Sequence, residues 1–180
     1  MGKDDVKLVG SSGAAAKISD ETRAKVQEII KNRALLAAGL GLVPVPVLNF
    51  ASATVVQIAM VQSITKLCNI EAKKSWIKNI ISSVLGGFTS VGLSQLVAGK
   101  LGAAPIVGAS LAVISAPVVN GLTTYALGHM FLRYFESEDG FLKTNFKALG
   151  GWFKEGFKEG REKLGGAISG GQQSASAAAV

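Results

Sequence analysis

The sequence predicts an all-helical (all-α) integral membrane protein built from helical hairpins. Three long stretches contain no Asp, Glu, Lys or Arg, namely residues 34–65, 79–99 and 101–132. About 20 apolar residues are enough for a helix to cross the hydrocarbon core of a bilayer. Hydrophobic residues make up 48% of the chain and charged residues 17%, a composition poorer in charge than most globular domains.

These stretches divide the chain into four parts. We expect a flexible N-terminus over residues 1–18 and a membrane-embedded helical domain over residues 19–133. An amphipathic helix should follow over residues 134–164, lying in the membrane interface or on a partner. Residues 165–180 are rich in Gly, Ser and Ala, which is typical of a disordered tail.

The first helix should begin at Ser19 or Asp20 and extend to about residue 42. Ser and Asp cap helix N-termini, and acidic residues are favourable in the first turn. Pro44 and Pro46 then break the helix, because proline lacks an amide donor and disfavours helical backbone before it. We interpret this break as the tip of a re-entrant hairpin, with a kink in one tilted span as the alternative.

The second hairpin is predicted from small residues repeated every four positions. Residues at i and i+4 share a helix face, and small side chains let membrane helices approach closely. A transmembrane hairpin should therefore pack along this stripe, although a region rich in Gly, Ala and Ser also produces such a register by chance. The predicted helix-packing residues are Ser82, Gly86, Ser90, Ser94, Ala98, Ala104, Gly108, Ala112 and Ala116.

Several aromatic residues are predicted to lie at the membrane interface. Trp76 sits in a basic segment between apolar stretches, and the others belong to the apolar stripe of the last helix or adjoin it. The alternative for that last helix is a surface helix that covers the protein's own core. The predicted interfacial residues are Trp76, Phe146, Trp152, Phe153 and Phe157.

The distribution of basic residues predicts an orientation. With both termini and residues 66–78 on one side, that side carries 18 of the 19 Lys and Arg residues, and Lys100 lies on the other. Cytoplasmic loops carry the excess of Lys and Arg in membrane proteins. We therefore expect a bacterial inner or internal membrane protein with both termini in the cytoplasm.

The sequence shows no catalytic, cofactor-binding or metal-binding pattern. With one His and one Cys, the chain has no cluster of the usual zinc ligands. His129 is interpreted as an interfacial or helix-packing residue, and Cys68 as an inert thiol with lipidation as the alternative. Charges border the apolar stretches instead of clustering with aromatics, which disfavours nucleic-acid binding.

Residues 32–68 resemble an uncharacterised bacterial membrane family, the YcjF-like and GTPase-associated proteins that carry domain of unknown function 697. The similarity rests on Pro44, Pro46, Asn49, Gln57 and Met60, and extends over about residues 20–133. Asn49 stands where the family pattern has Asp, and no GTPase domain is attached. The resemblance implies a bacterial membrane location and a GTPase or membrane-remodelling partner.

These features favour a non-enzymatic membrane protein that acts as an oligomerising scaffold or accessory subunit. Its expected partners are the lipid bilayer, further copies of itself or a larger membrane complex, and a GTPase, with no cofactor and no nucleic acid. Two alternatives are a pore-forming, toxin-like hairpin protein and a small channel or transporter subunit.

Overall fold

Five helices and a two-stranded sheet form the described part of the computed structural model. The structure describes residues 6–8, 18–42, 46–89, 109–137 and 146–177. In chain order the elements are β1 (Val6–Leu8), α1 (Asp20–Leu40), α2 (Pro46–Leu67), β2 (Ile70–Ala72), α3 (Lys74–Thr89), α4 (Ala109–Glu136) and α5 (Phe146–Ala177).

Helix α1 begins and ends where its sequence favours it. The Ser19 hydroxyl accepts a hydrogen bond from the Thr22 amide at 3.2 Å, which satisfies one amide that the helix leaves unpaired. At the other end, the Gly41 amide donates to the carbonyl of Ala38 at 3.0 Å. The buried residues fall on one stripe of the helix, which faces the core: Val26, Ile30, Ala34, Ala37 and Ala38.

Helix α2 starts at Pro46, a position where proline costs no hydrogen bond because the first amides of a helix are unpaired anyway. It ends with Asn69 in the left-handed region at φ 53°. Asparagine tolerates this conformation better than most residues, and the turn leads directly into β2.

Strand β2 pairs with β1 in an antiparallel arrangement, with Val6 opposite Ala72 and Leu8 opposite Ile70. The pairing attaches a part of the predicted flexible N-terminus to the connection between α2 and α3. Three-residue strands are too short to produce a clear alternation of polar and apolar residues, so the sequence did not indicate them.

Helix α4 is the centre of the bundle and packs most extensively against α5 and α1. Arg133 is the one exposed position among residues 117–137. A helix that is apolar on all sides is buried either in lipid or inside a protein. Here α1, α2 and α5 cover α4.

Contacts along α4 fix the direction of its first neighbour. The Arg23 guanidinium at the start of α1 lies 2.8 Å from the Glu136 carboxylate at the end of α4. Nearer the middle, a Cβ added to Gly128 would lie 2.6 Å from Cγ1 of Ile30. Helices α1 and α4 are therefore antiparallel.

Helix α2 runs in the same direction as α4. Gln57 of α2 donates to Thr124 of α4, and the charge of Glu136, twelve residues further on, acts on the thiol of Cys68 just after α2. Because α1 and α2 have opposite directions relative to α4, they form an antiparallel pair joined through residues 41–45.

Helix α3 contributes an amphipathic cover over one end of the core. Trp76 packs between Phe131 and Tyr134 of α4, with ring centroids 6.1 Å and 5.8 Å away. The other buried α3 residues follow helical spacing: Ile77, Ile80, Ile81 and Val84.

The prediction of integral membrane hairpins is wrong. Among the residues that the structure describes, no helix combines the length and the apolar character needed to cross a membrane. The uncharged stretches misled the interpretation because a helix enclosed by other helices needs the same apolar surface as a helix in lipid. The antiparallel pair α1 and α2, broken at Pro46, is part of a helical bundle.

Candidate functional site

The two C-terminal helices approach each other closely where α5 carries glycine. Residues Gly156 and Gly160 face α4, four positions apart on one side of α5. A Cβ at Gly156 would lie 3.0 Å from Cα of Ala126 and 2.8 Å from Cβ of His129. The absence of side chains at these glycines allows the two backbones to come together, and α5 runs antiparallel to α4.

Glu159, between these glycines, receives three polar contacts at the helix interface. Its Oε1 accepts from the Tyr125 hydroxyl at 3.1 Å and lies 2.6 Å from Nζ of Lys163. Its Oε2 lies 3.0 Å from Nε2 of His129. An ionised carboxylate can only accept, so Nε2 of His129 carries the hydrogen.

The groups around Glu159 shift one another's protonation. Burial raises the pKa of the Glu159 carboxyl, but Lys163, His129 and Tyr125 together outweigh burial and leave this pKa lowered. The hydrogen bond to Glu159 is the main cause that raises the pKa of Lys163. Burial, followed by the charge of Glu159, raises the pKa of the Tyr125 phenol.

This cluster joins α4 to α5 and leaves the carboxylate occupied by protein donors. Within the described residues, no group of three or more His, Cys, Asp and Glu side chains has the arrangement to hold a metal ion. The Glu159 cluster therefore fixes how α5 lies on α4, and its chemistry is that of a structural ion network.

A second polar pair lies deeper, between α2 and α4. Nε2 of Gln57 donates to Oγ1 of Thr124 at 3.3 Å, and both residues are buried. The amide oxygen of Gln57 and the hydroxyl of Thr123 have no hydrogen-bond partner. Buried polar groups without partners cost stability, which makes this pair a weak point of the core.

Cys68 lies at the end of α2, half-buried. Burial, with a smaller effect of the Glu136 charge, raises the pKa of its thiol to about 11. The thiolate is the reactive form of cysteine, so this thiol is poorly reactive at neutral pH.

Charge is segregated along the bundle. The first part of the chain to lack charge in each helix pair meets at one end, which we call the charge-free end: α1 after Arg33, α2 before Lys66, α4 before Arg133, and α5 after Lys163. The helix directions derived above bring these four segments to the same end of the bundle.

Apolar side chains are exposed at the charge-free end. Leu36 and Leu42 are 47% and 43% exposed, and Val55 is 66% exposed. In the described part of the chain, these are the large hydrophobic residues with high exposure. This end is the surface of the bundle best suited to an apolar partner.

The structure places two of the predicted helix-packing residues at exposed positions of α3. Ser82 and Gly86 are exposed, and a Cβ at Gly86 would have no atom within 4 Å. Ala112 and Ala116 belong to α4, but their side chains lie outside the described set. The remaining predicted packing residues lie outside the described residues altogether: Ser90, Ser94, Ala98, Ala104 and Gly108.

Three of the predicted interfacial aromatics are core residues in the structure. Trp76 is 4% exposed, and Phe153 and Phe157 are 0% and 3% exposed. They are buried because the apolar stripes of α3 and α5 cover α4, as the alternative of a surface helix anticipated. Trp152 is partly buried against the same core, and the side chain of Phe146 is outside the described set.

The proline break is described in part. Pro46 is the first residue of α2, and Pro44 lies outside the described residues. Sequence analysis treated Gly156 and Gly160 as weakening the last helix, and it did not single out Glu159. The spacing of Tyr125 and His129, and of Glu159 and Lys163, places each pair on one helix face, yet it does not reveal which faces meet.

Comparison with known proteins identifies the family. Residues 11–162 match the family model described as domain of unknown function (DUF697). The chain belongs to the DUF697 family. The resemblance predicted from the sequence is thereby confirmed.

This DUF697 protein is also similar to a characterised membrane constituent. Over 136 residues it is 29% identical to Magnetosome membrane protein 22 of Magnetospirillum gryphiswaldense, a match that covers 75% of this chain and 70% of the relative. No solved structure matches the chain significantly.

Proposed function

We propose that this protein is a non-enzymatic accessory protein of a bacterial membrane, where it serves as a scaffold for a membrane assembly. The observation that carries the proposal is its similarity to a magnetosome membrane protein over three quarters of its length. The proposed location is an inner or internal membrane, with both termini in the cytoplasm.

The arrangement of the bundle supports this proposal. The exposed Leu36, Leu42 and Val55 give an apolar partner a surface to bind, while the Glu159 cluster is engaged in holding α4 and α5 together. A scaffold needs a stable body with one adhesive surface, and these two features supply both.

Fractionation of bacteria that express the full chain tests membrane association. We expect the protein in the membrane pellet, and in the floating fraction when the purified protein is mixed with vesicles and centrifuged through a density gradient. Recovery of the protein entirely in the supernatant and at the bottom of the gradient would refute the proposal. Release of a trapped dye from the vesicles would instead favour the pore-forming alternative.

The scaffold role also requires partners, for which we propose further copies of this chain and a GTPase. Chemical cross-linking on membranes should yield defined oligomers, and a GTP-hydrolysing protein should co-purify with the cross-linked material. A monomer with no co-purifying protein would contradict the scaffold role while leaving membrane association intact.

A further inference from the structure

We propose that the charge-free end docks onto a bilayer that contains anionic phospholipid, with its exposed apolar side chains at the boundary between headgroups and acyl chains. The inference rests on the proposed membrane association and specifies which surface makes the contact. It requires no helix to cross the bilayer, because only the end of the bundle enters the interface.

The first argument is the coincidence of four independent chain segments. Residues 34–40, 46–65, 109–132 and 164–177 contain no Asp, Glu, Lys or Arg, and they come from different parts of the sequence. The antiparallel and parallel pairings along α4 bring them to one end. A core explains the loss of charge on inward faces, but it does not require charge to be absent from outward faces as well.

The second argument is the exposure of apolar residues at that end. Val55 is 66% exposed on α2, in a helix that has polar alternatives at no structural cost. Leu36 and Leu42 lie on the neighbouring α1 and at its end. Side chains of this type bury favourably in the interface of a bilayer.

The third argument is the sign of the charge that borders this end. In each of the four helices, the charged residue nearest to the charge-free segment is basic: Arg33, Lys66, Arg133 and Lys163. Lys66 and Arg133 are exposed, and Lys163 is 58% exposed. Basic residues beside an apolar surface bind the phosphates of anionic headgroups.

The same border argues against a second copy of the chain as the occupant. Two copies that met end to end would bring basic borders towards each other, and the chain already has a net charge of +7. Juxtaposed like charges disfavour association. An anionic bilayer complements this arrangement, whereas a second copy repels it.

The experiment measures binding of the full chain to vesicles of phosphatidylcholine, with and without phosphatidylglycerol, by flotation. Leu36→Asp, Leu42→Asp and Val55→Asp should each weaken binding about tenfold, since each places a charge in the apolar interface. Gln27→Asp is the matched control, because it makes the same charge change at an exposed position near the other end of α1. It should change binding by less than about twofold.

Two further variants test the basic border. Lys66→Gln and Arg133→Gln should each weaken binding to phosphatidylglycerol vesicles about fivefold and leave binding to pure phosphatidylcholine unchanged. Circular dichroism of every variant checks that the helices are intact.

A fluorescent probe locates the contact directly. In a Cys68→Ala background, an environment-sensitive dye attached at Leu42→Cys should shift to the blue when vesicles are added, and the same dye at Gln27→Cys should not. Such a shift at Leu42 alone supports the docking surface.

The outcomes separate this inference from the proposed function. If the natural protein does not bind vesicles, membrane association itself fails. If it binds but the Asp variants at Leu36, Leu42 and Val55 bind as tightly as the Gln27→Asp control, the charge-free end is not the docking surface. If those variants instead break up an oligomer in the absence of lipid, the surface belongs to a contact between copies, and the inference is overturned.

Discussion

Replacing Gly156 by alanine should destabilise the protein, although alanine is the better helix former. Helix propensity alone favours alanine over glycine by about 1 kcal/mol in a helix interior. The new methyl group would lie 2.8 Å from Cβ of His129 and 3.1 Å from the carbonyl oxygen of Ala126. Both atoms are held by the α4 backbone, so neither moves aside without moving the helix.

The size of the effect follows from these two opposing contributions. Carbon atoms pack best at about 3.5–4.0 Å, and an extra methyl group in a well-packed contact costs about 1–3 kcal/mol. After subtraction of the propensity gain, Gly156→Ala should lower the free energy of unfolding by up to about 2 kcal/mol. The two helices would also separate slightly, which weakens the contacts of Glu159.

Gly151→Ala is the matched control on the same helix. A Cβ at Gly151 meets no atom within 4 Å, so only the propensity applies, and the variant should be stabilised by up to about 1 kcal/mol. Urea unfolding followed by circular dichroism measures both variants. If Gly156→Ala is stabilised as much as Gly151→Ala, the close approach of α4 and α5 at this position is refuted.

The buried polar groups give three further predictions. Because the pKa of Glu159 is lowered in the folded protein, its stabilising effect is present above the ordinary carboxyl pKa and is lost as pH falls through the lowered value; Glu159→Gln should therefore be less stable than the natural protein at neutral pH, with a gap that closes in acid, as measured by urea unfolding at several pH values. With a thiol pKa of about 11, Cys68 should react with iodoacetamide at neutral pH roughly a hundredfold more slowly than an unfolded control in urea. Thr124→Val should cost about 1–3 kcal/mol, because it removes the hydrogen-bond partner of the buried Gln57 amide, whereas the double variant with Gln57→Met should be close to neutral in urea unfolding.

Each of these predictions has a result that contradicts it. A Glu159→Gln variant whose deficit is the same at acidic and neutral pH would show that the carboxylate charge contributes nothing. Alkylation of Cys68 at the same rate in the folded and unfolded protein would contradict its burial. A double variant as unstable as Thr124→Val alone would show that the hydroxyl contributes by more than its contact with Gln57.

The start of α1 was predictable because its signals are local. Ser19 caps the helix and Asp20 opens it, as these residue types do in isolated helices. The break before Pro46 was equally visible, because proline acts on its immediate neighbours. The β1–β2 pairing was not predictable, since it joins residues more than 60 positions apart through two very short strands.

The environment of the apolar stretches was not readable from the same signals. Periodicity shows that a segment is apolar on all sides, but burial of α4 inside a bundle and burial in lipid produce the same pattern. Trp76 illustrates this: its position beside basic residues indicated an interface, while its indole is packed against Phe131 and Tyr134. Only the pairing of helices, a non-local property, decides between the two environments.

The candidate site was missed for a related reason. His129 was noticed as the single histidine, but its partner Glu159 belongs to another helix and has many equivalents among the charged residues of α5. Gly156 and Gly160, on either side of it, lowered the expected helicity and so obscured their role as the point of closest approach.

The short strand at Val6–Leu8 matters for anyone who trims the chain. Removing everything ahead of α1 would take away the partner of Ile70–Ala72 and leave its backbone amides and carbonyls open at a raw edge. Unpaired strand edges recruit strands from other molecules, which leads to aggregation. A shortened version that precipitates would therefore report the loss of this clasp, and a bulky tag is better attached elsewhere.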